Sequence, residues 1–159
     1  MKRALVLYHS LYGNTKSVAV NLAKGLEEAG VVVTISSIND IDVEKVSKYD
    51  LIALGSPTHK LRPSKEMKEF LDRLKSINLK GLHGFSFDTR IESRMNKRGL
   101  SILENSAARS LERFMKRKGM RVIKPRTSAI VEGREGPLAT SAPPDFVQIG
   151  KEIGKILMS

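Results

Sequence analysis

Three short segments hold the residue types that could do chemistry in this chain. The first is Ser10-Leu11-Tyr12-Gly13-Asn14-Thr15, which follows the apolar run Leu5-Val6-Leu7-Tyr8-His9 and leads directly into a helical pattern. Hydroxyls, one glycine and one asparagine in a strand-to-helix turn gather backbone N–H groups and side-chain donors at the positive end of a helix. Such a turn suits a phosphate. The second is Gly55-Ser56-Pro57-Thr58-His59-Lys60-Leu61-Arg62-Pro63, where two prolines stiffen a loop presenting Thr58 and His59. Read alone, it is either a ligand-facing loop or an ordinary turn. The third is Phe87-Asp88-Thr89-Arg90. Asp88 there either accepts hydrogen bonds from a ligand and positions Arg90, or caps the turn that follows.

Several chemistries are disfavoured by pattern. Lys16-Ser17 follow Thr15, but the glycine–lysine pair and second glycine of a Walker A loop are missing, as is G-x-G-x-x-G. No G-x-S-x-G elbow offers a nucleophilic serine. The chain has no cysteine, so thiol chemistry, disulfides and zinc–thiolate sites are excluded. The histidines lack partners at metal-ligand spacing, and His9 and His83 read as packing or surface residues. Any redox role must therefore come from a bound organic cofactor.

Alternating strand and helix signals must position these segments. Strands are expected at Arg3–His9, Val31–Ile35, Asp50–Gly55, Gly84–Thr89 and within Met120–Val131. Helices are expected at Asn14–Ala29, with Val18, Leu22 and Leu26 on one face, at Ser64–Leu74, and at Asp145–Leu157 after Pro143-Pro144. Ile38–Val46 reads as a short connection. A further helix, ending near Gly119, is expected to begin with a capping box of Ser101 and Glu104. Five strands separated by helices predict one α/β domain over residues 1–159, a parallel sheet covered on both faces. In such a sheet, ligands bind outside the carboxyl ends of the strands, where all three segments lie.

Charge is unevenly spread. The net charge is +11, and residues 90–126 alone carry 12 Lys/Arg against 3 Asp/Glu. This concentration reads either as a docking face for an anionic partner or as a solvated helix face. A nucleic-acid module is disfavoured: Phe114 is the segment's one aromatic, and it fits a helix core stripe rather than a stacking platform. The apolar run at the N-terminus is too short for a signal peptide, and no stretch reaches the length of a membrane span, so a cytoplasmic protein is the expectation.

The loop Ser10-Leu11-Tyr12-Gly13-Asn14-Thr15 closely resembles the flavodoxin phosphate loop, hydroxyl-x-Thr-Gly-Asn-Thr, with Tyr12 in place of a threonine. Gly55-Ser56-Pro57-Thr58 looks like the loop that packs against the flavin ring in flavodoxin-like proteins. Phe87-Asp88-Thr89-Arg90, followed by Ser106-Ala107-Ala108, is similar to divergent prokaryotic flavodoxin-domain proteins. The resemblance spans essentially the whole chain. It implies a three-layer α/β/α sandwich with a five-stranded parallel sheet in the order 2-1-3-4-5, and FMN at the break between the first and third strands. It further implies that Ser10, Asn14 and Thr15 donate to the FMN phosphate, with the N–H groups of Leu11 through Gly13 to Thr15 completing the cradle and Tyr12 supporting the site or covering the ring. Pro57, Thr58, His59 and Lys60 would line one side of the ring, and Phe87, Asp88, Thr89 and Arg90 would approach from the other.

Two features depart from that family's usual carriers. The chain is basic, and it has neither a tryptophan nor any aromatic residue at positions 57–61. An FMN-dependent electron carrier is the leading expectation, serving an acidic redox partner or an anionic small molecule. A small FMN-dependent quinone, NAD(P)H or protoporphyrinogen oxidoreductase is the alternative. Arg90, Arg94, Lys97 and Arg98 follow the fourth strand and are expected to make reduction of the flavin less difficult than in acidic flavodoxins.

Overall fold

A computed structural model describes residues 1–91 and 106–159, and elements are numbered in chain order among these. Five strand positions form one parallel sheet. β1 (Arg3–Tyr8) lies between β2 (Val32–Ser37) and β3 (Leu51–His59), and β3 pairs in turn with β5 (His83–Ile91). The last position is shared by β6 (Arg121–Val122), beside the start of β5, and β7 (Thr127–Val131), beside its end. With β5 counted fourth and β6 with β7 fifth, the order is the expected 2-1-3-4-5. Pro125 explains why the fifth strand is split. It has no N–H to give the ladder, and the chain between the two halves is held instead by Glu112, which accepts from the Arg126 backbone N–H and from its Nη1, both at 3.0 Å.

The apolar residues of the central strands alternate between two cores, as a strand period of two requires. Ala4, Val6, Leu51 and Ala53 face α1 (Asn14–Glu28) and α4 (Ala142–Met158). Leu5, Leu7, Ile52 and Leu54 face α2 (Lys65–Leu74) and α3 (Ala107–Arg117). A 3₁₀ turn, Val43–Lys48, with Asp42 capping it, fills the expected short connection. On the first face α1 and α4 touch backbone to backbone: a Cβ placed on Gly25 would lie 2.0 Å from the Val147 carbonyl oxygen. Pro143 and Pro144 sit inside the first turn of α4, where their missing N–H groups cost nothing.

Three strands run past the ends that the sequence pattern predicts, β2 to Ser37 and two of them, β3 and β5, at the cleft. β3 continues past Gly55 to His59, because β5 still pairs with it after β1 has ended at Tyr8. Pro57 is tolerated there, since one flank of β3 is already free of a neighbour. β3 then turns through Lys60 and Leu61 into the short antiparallel β4 (Arg62–Pro63). Both turn residues have positive φ, 48° and 67°. That backbone suits a two-residue hairpin but is costly for side chains other than glycine or asparagine. β5 likewise extends to Ile91. α3 begins at Ala107, with the Ser106 hydroxyl accepting from the Arg109 N–H at 3.1 Å. The expected capping pair Ser101 and Glu104, and Arg94, Lys97 and Arg98, lie outside the described residues. Among the described residues, no helix is long and apolar enough to cross a membrane.

Candidate functional site

A cleft of about 450 Å³ opens at the carboxyl ends of the parallel strands. It is lined by Ser10, Leu11, Tyr12, Asn14 and Thr15 from the β1–α1 loop, and by Pro57, Thr58, His59 and Lys60 from β3 and its hairpin. Thr89, Arg90 and Ile91 come from β5, and Val131 and Arg134 from the end of β7. Eleven of the fourteen residues expected at the site thus share one wall system; Gly13, Phe87 and Asp88 do not line it.

The β1–α1 loop is built around Gly13, whose φ of 91° turns the chain into the helix. A glycine N-cap has no side chain to offer, so the first turn of α1 receives no bond from its own N-cap residue. Ser10 folds the loop from within: its Oγ accepts from the N–H groups of Gly13 at 3.1 Å and Lys16 at 3.3 Å. Its single hydroxyl hydrogen is thereby free to donate. Thr15 is buried, and its hydroxyl pairs at 2.8 Å with that of Thr89, tying the phosphate-type loop to β5. Asn14 Nδ2 donates to the Glu135 carbonyl at 3.1 Å, which clasps the loop after β7 onto the same helix terminus.

The opposite wall is fixed by a buried polar network. Asp88 is fully buried, and its Oδ2 accepts from the Thr58 hydroxyl at 2.8 Å and the Ala108 N–H at 3.0 Å. Thr58 Oγ1 accepts in turn from the Ala107 N–H at 2.9 Å. These bonds satisfy orphan donors at the start of α3, so Asp88 caps a helix remote in sequence rather than the next turn. Phe87 lies in the core between Phe85, on which it stacks, and Phe146, which it meets edge to face, with ring centroids 6.2 and 5.9 Å away. A Cβ on Gly55 would come within 2.1 Å of its ring. Gly55 is therefore the residue that lets the aromatic core reach the floor below the cleft.

His9 was expected to be a packing or surface residue; it is buried, and it also braces the hairpin wall. Its Nδ1 bonds to the Ser64 hydroxyl at 2.7 Å, and Ser64 in turn caps α2 and receives the Ser56 hydroxyl at 3.3 Å. Burial pushes the His9 pKa below its ordinary value; Glu66, 3.8 Å from Nε2, opposes this and His59 reinforces it. The sequence pattern also passed over Ile91, Val131 and Arg134. Ile91 continues its strand beyond the expected end, and Val131 is the last residue of the expected fifth strand. Arg134 sits in an irregular loop with no motif to mark it.

The rim of the cleft combines exposed apolar surface with positive charge. Leu11, Tyr12 and Ile91 are 51, 48 and 55% exposed, unusually open for such side chains beside a concave site. Lys60, Arg90 and Arg134 line the cleft, and no Asp or Glu does so among the described residues. Open backbone donors at one end, hydroxyls beside them and an apolar rim fit an anionic group joined to a flat aromatic one.

Comparison with known proteins gives this arrangement a family. Residues 5–123 match the flavodoxin domain. The fold aligns with a flavodoxin from the domain Archaea over 99% of both chains, with a TM-score of 0.81 at 23% identity. It aligns with flavodoxin 1 of Bacillus cereus over 97% of this chain and 98% of that one, with a TM-score of 0.79 at 20% identity. By sequence, the chain is 31% identical to an NAD(P)H dehydrogenase (quinone) of Bradyrhizobium diazoefficiens, over 53% of each protein. The chain spans about half the length of the curated relatives it matches. It belongs to the flavodoxin-domain family, and a flavin is the cofactor that this membership implies.

Proposed function

We propose that the protein binds FMN in the cleft at the strand ends and uses it to move electrons. The observation that carries this reading is the start of α1, capped by a glycine without a side chain, beside Ser10 and Thr15 and opening into the same cleft as an apolar rim. Ser10, the backbone N–H groups of Asn14 and Thr15 and the second Asn14 amide hydrogen would hold the phosphate. Leu11, Tyr12, Pro57 and Ile91 offer apolar surface to the ring. Flavin, when bound, supplies the one- and two-electron chemistry that this cysteine-free chain otherwise lacks.

The chain's own residues contribute binding and electrostatics. The Asp88–Thr58 bond and the His9–Ser64 bond fix the hairpin wall. Thr15–Thr89 fixes the phosphate loop against β5. Lys60, Arg90 and Arg134 make the cleft electropositive, which favours an anionic small molecule or an acidic redox partner as its counterpart. The quinone-dehydrogenase relatives support a second reading, in which NAD(P)H and a quinone meet the flavin directly.

Titration of the purified protein with FMN, followed by flavin absorbance, tests the first step; a protein that stays colourless and leaves FMN unquenched overturns it. Mixing the loaded protein with NAD(P)H and a quinone then separates the readings. Sustained NAD(P)H consumption supports the reductase. Flavin that accepts electrons only from a protein donor supports the carrier.

A further inference from the structure

We infer that Arg134 is the cationic anchor for the phosphate of the bound flavin nucleotide, so that this chain selects a phosphorylated flavin by charge as well as by N–H groups. The inference rests on the flavin reading above and adds a residue that the phosphate loop does not contain. Arg134 lines the same cleft as Ser10, Asn14 and Thr15. Its position there is built: the next residue, Glu135, accepts through its carbonyl from Asn14 Nδ2 at 3.1 Å. One residue further, Gly136 packs so closely on Asn14 that an added Cβ would lie 3.1 Å from that amide, and its φ is 113°. The loop after β7 is thus pressed onto the first residue of α1, beside the helix terminus that offers the open donors.

The other two cleft cations are placed differently. Lys60 sits at the hairpin tip on the far wall, next to His59. Arg90 is buried and follows Thr89, whose hydroxyl meets Thr15; adjacent strand residues point to opposite faces, so Arg90 leaves β5 away from the phosphate loop. Arg134 alone of the three combines exposure with a backbone tied to that loop. A guanidinium can present two parallel donors to a phosphate, and with no cleft carboxylate among the described residues to compete, a phosphate dianion is its matching partner.

The test titrates the apo-protein with FMN and with riboflavin, read by quenching of flavin fluorescence. Arg134→Gln is expected to weaken FMN about tenfold or more, the range of a lost charge-assisted bond, and to leave riboflavin unchanged. Arg134→Lys is expected to fall between, keeping the charge but not the fork. Raising the salt concentration should weaken FMN in the unaltered protein more than in Arg134→Gln. Unaltered FMN binding in Arg134→Gln overturns the inference, as does an equal loss for FMN and riboflavin, while both leave the cleft a flavin site. An unaltered protein that binds neither flavin overturns the reading on which the inference stands.

Discussion

The two ends of the parallel sheet are both basic, but for different reasons. At the carboxyl end, Lys60, Arg90 and Arg134 converge on a concave cleft without an acid among its described lining residues. At the amino end, Lys116, Arg117, Lys118 and Arg121 surround the last turn of α3 and the start of β6, where Arg121 pairs with His83 at the beginning of β5. Lys118 donates there to the Lys75 carbonyl at 2.8 Å. Positive side chains at a helix C-terminus complement its dipole, and on a convex surface they are otherwise solvated. These four cations are therefore structural and solubilising in character, whereas Lys60, Arg90 and Arg134 do the focusing. A run of basic residues in sequence does not say which end of a sheet it will reach.

Glycine substitutions give the largest expected difference between the ends. Gly55→Ala places its Cβ 2.1 Å from the Phe87 ring, a rigid neighbour wedged between two other aromatic rings, and should cost about 1–3 kcal/mol. Gly84→Ala, near the amino end of β5, places its Cβ 2.8 Å from Met115 Sδ. A methionine tail can move aside, so the cost should stay below about 1 kcal/mol. Urea unfolding of both variants checks this; equal losses would mean that the aromatic floor is as pliable as the methionine packing. Gly55→Ala should also weaken flavin binding, while Gly84→Ala should not.

Replacing Asn14 and Thr15 together by Ala comes next. It removes the clasp to Glu135 and the tie to Thr89. FMN affinity is expected to fall by roughly tenfold to a hundredfold, as for one or two lost hydrogen bonds to a charged group. Reversing Lys116, Arg117 and Arg121 to Glu should leave FMN affinity unchanged. Calorimetric titration reads both, and an affinity that follows the amino-end charges rather than the loop would invert the assignment of the two ends.

Much of this layout was legible in the sequence, for identifiable reasons. The run Leu5–Tyr8 ending in hydroxyls and Gly13 marks a strand, a turn and a helix start without tertiary help. The three strand-end segments were legible because a parallel sheet sends all its carboxyl ends to one side. The hairpin at Lys60-Leu61 was not, because both residues resist positive φ and only the surrounding network of Ser56, Ser64 and His9 imposes it. Asp88 read as either a ligand acceptor or a local cap because its real client, the start of α3, lies 20 residues away. Arg134 had no periodicity or motif; only the contact of its loop with Asn14 makes it a cleft residue. The basic segment read as either a docking face or a solvated helix face, because the end of the sheet its charges reach depends on how α3 runs back across it.

The same contrast governs the redox potential expected of the bound flavin. A cation about 10 Å away at an effective dielectric near 20 contributes roughly 1.7 kcal/mol, on the order of 70 mV for one electron. From the amino end, about 20 Å distant along β5 and largely through water, the same charge contributes roughly 0.2 kcal/mol, on the order of 10 mV before screening. Potentiometry should therefore find Lys60→Gln or Arg134→Gln shifting the couple to more negative values by tens of mV, with Arg121→Gln leaving it in place. A shift from Arg121→Gln matching that of the cleft variants would show that the potential responds to net charge rather than to position.

The smallest expected effect is on pH dependence, and it too should be confined to one end. Burial holds the His9 pKa below its ordinary value in the folded protein, with Glu66 opposing and His59 assisting. The unfolded chain therefore binds the His9 proton more readily than the folded one. Its contribution to stability is complete above the ordinary histidine pKa of about 6.5 and is lost as pH falls toward the lowered folded value. Protonation also turns Nδ1 into an obligate donor, so the Ser64 hydroxyl must then accept from it while still accepting from the Met67 N–H at 3.2 Å. The strain falls on the α2 cap and on Ser56, which hold the hairpin wall of the cleft. Hydrogen-exchange protection, taken relative to the intrinsic rate at each pH, should fall first on acidification at Ser64–Met67 and along Thr58–Pro63, with α3 and β6 unchanged. His9→Gln should abolish the pH dependence of that local opening; a uniform loss of protection at both ends of the sheet would instead assign the effect to global unfolding.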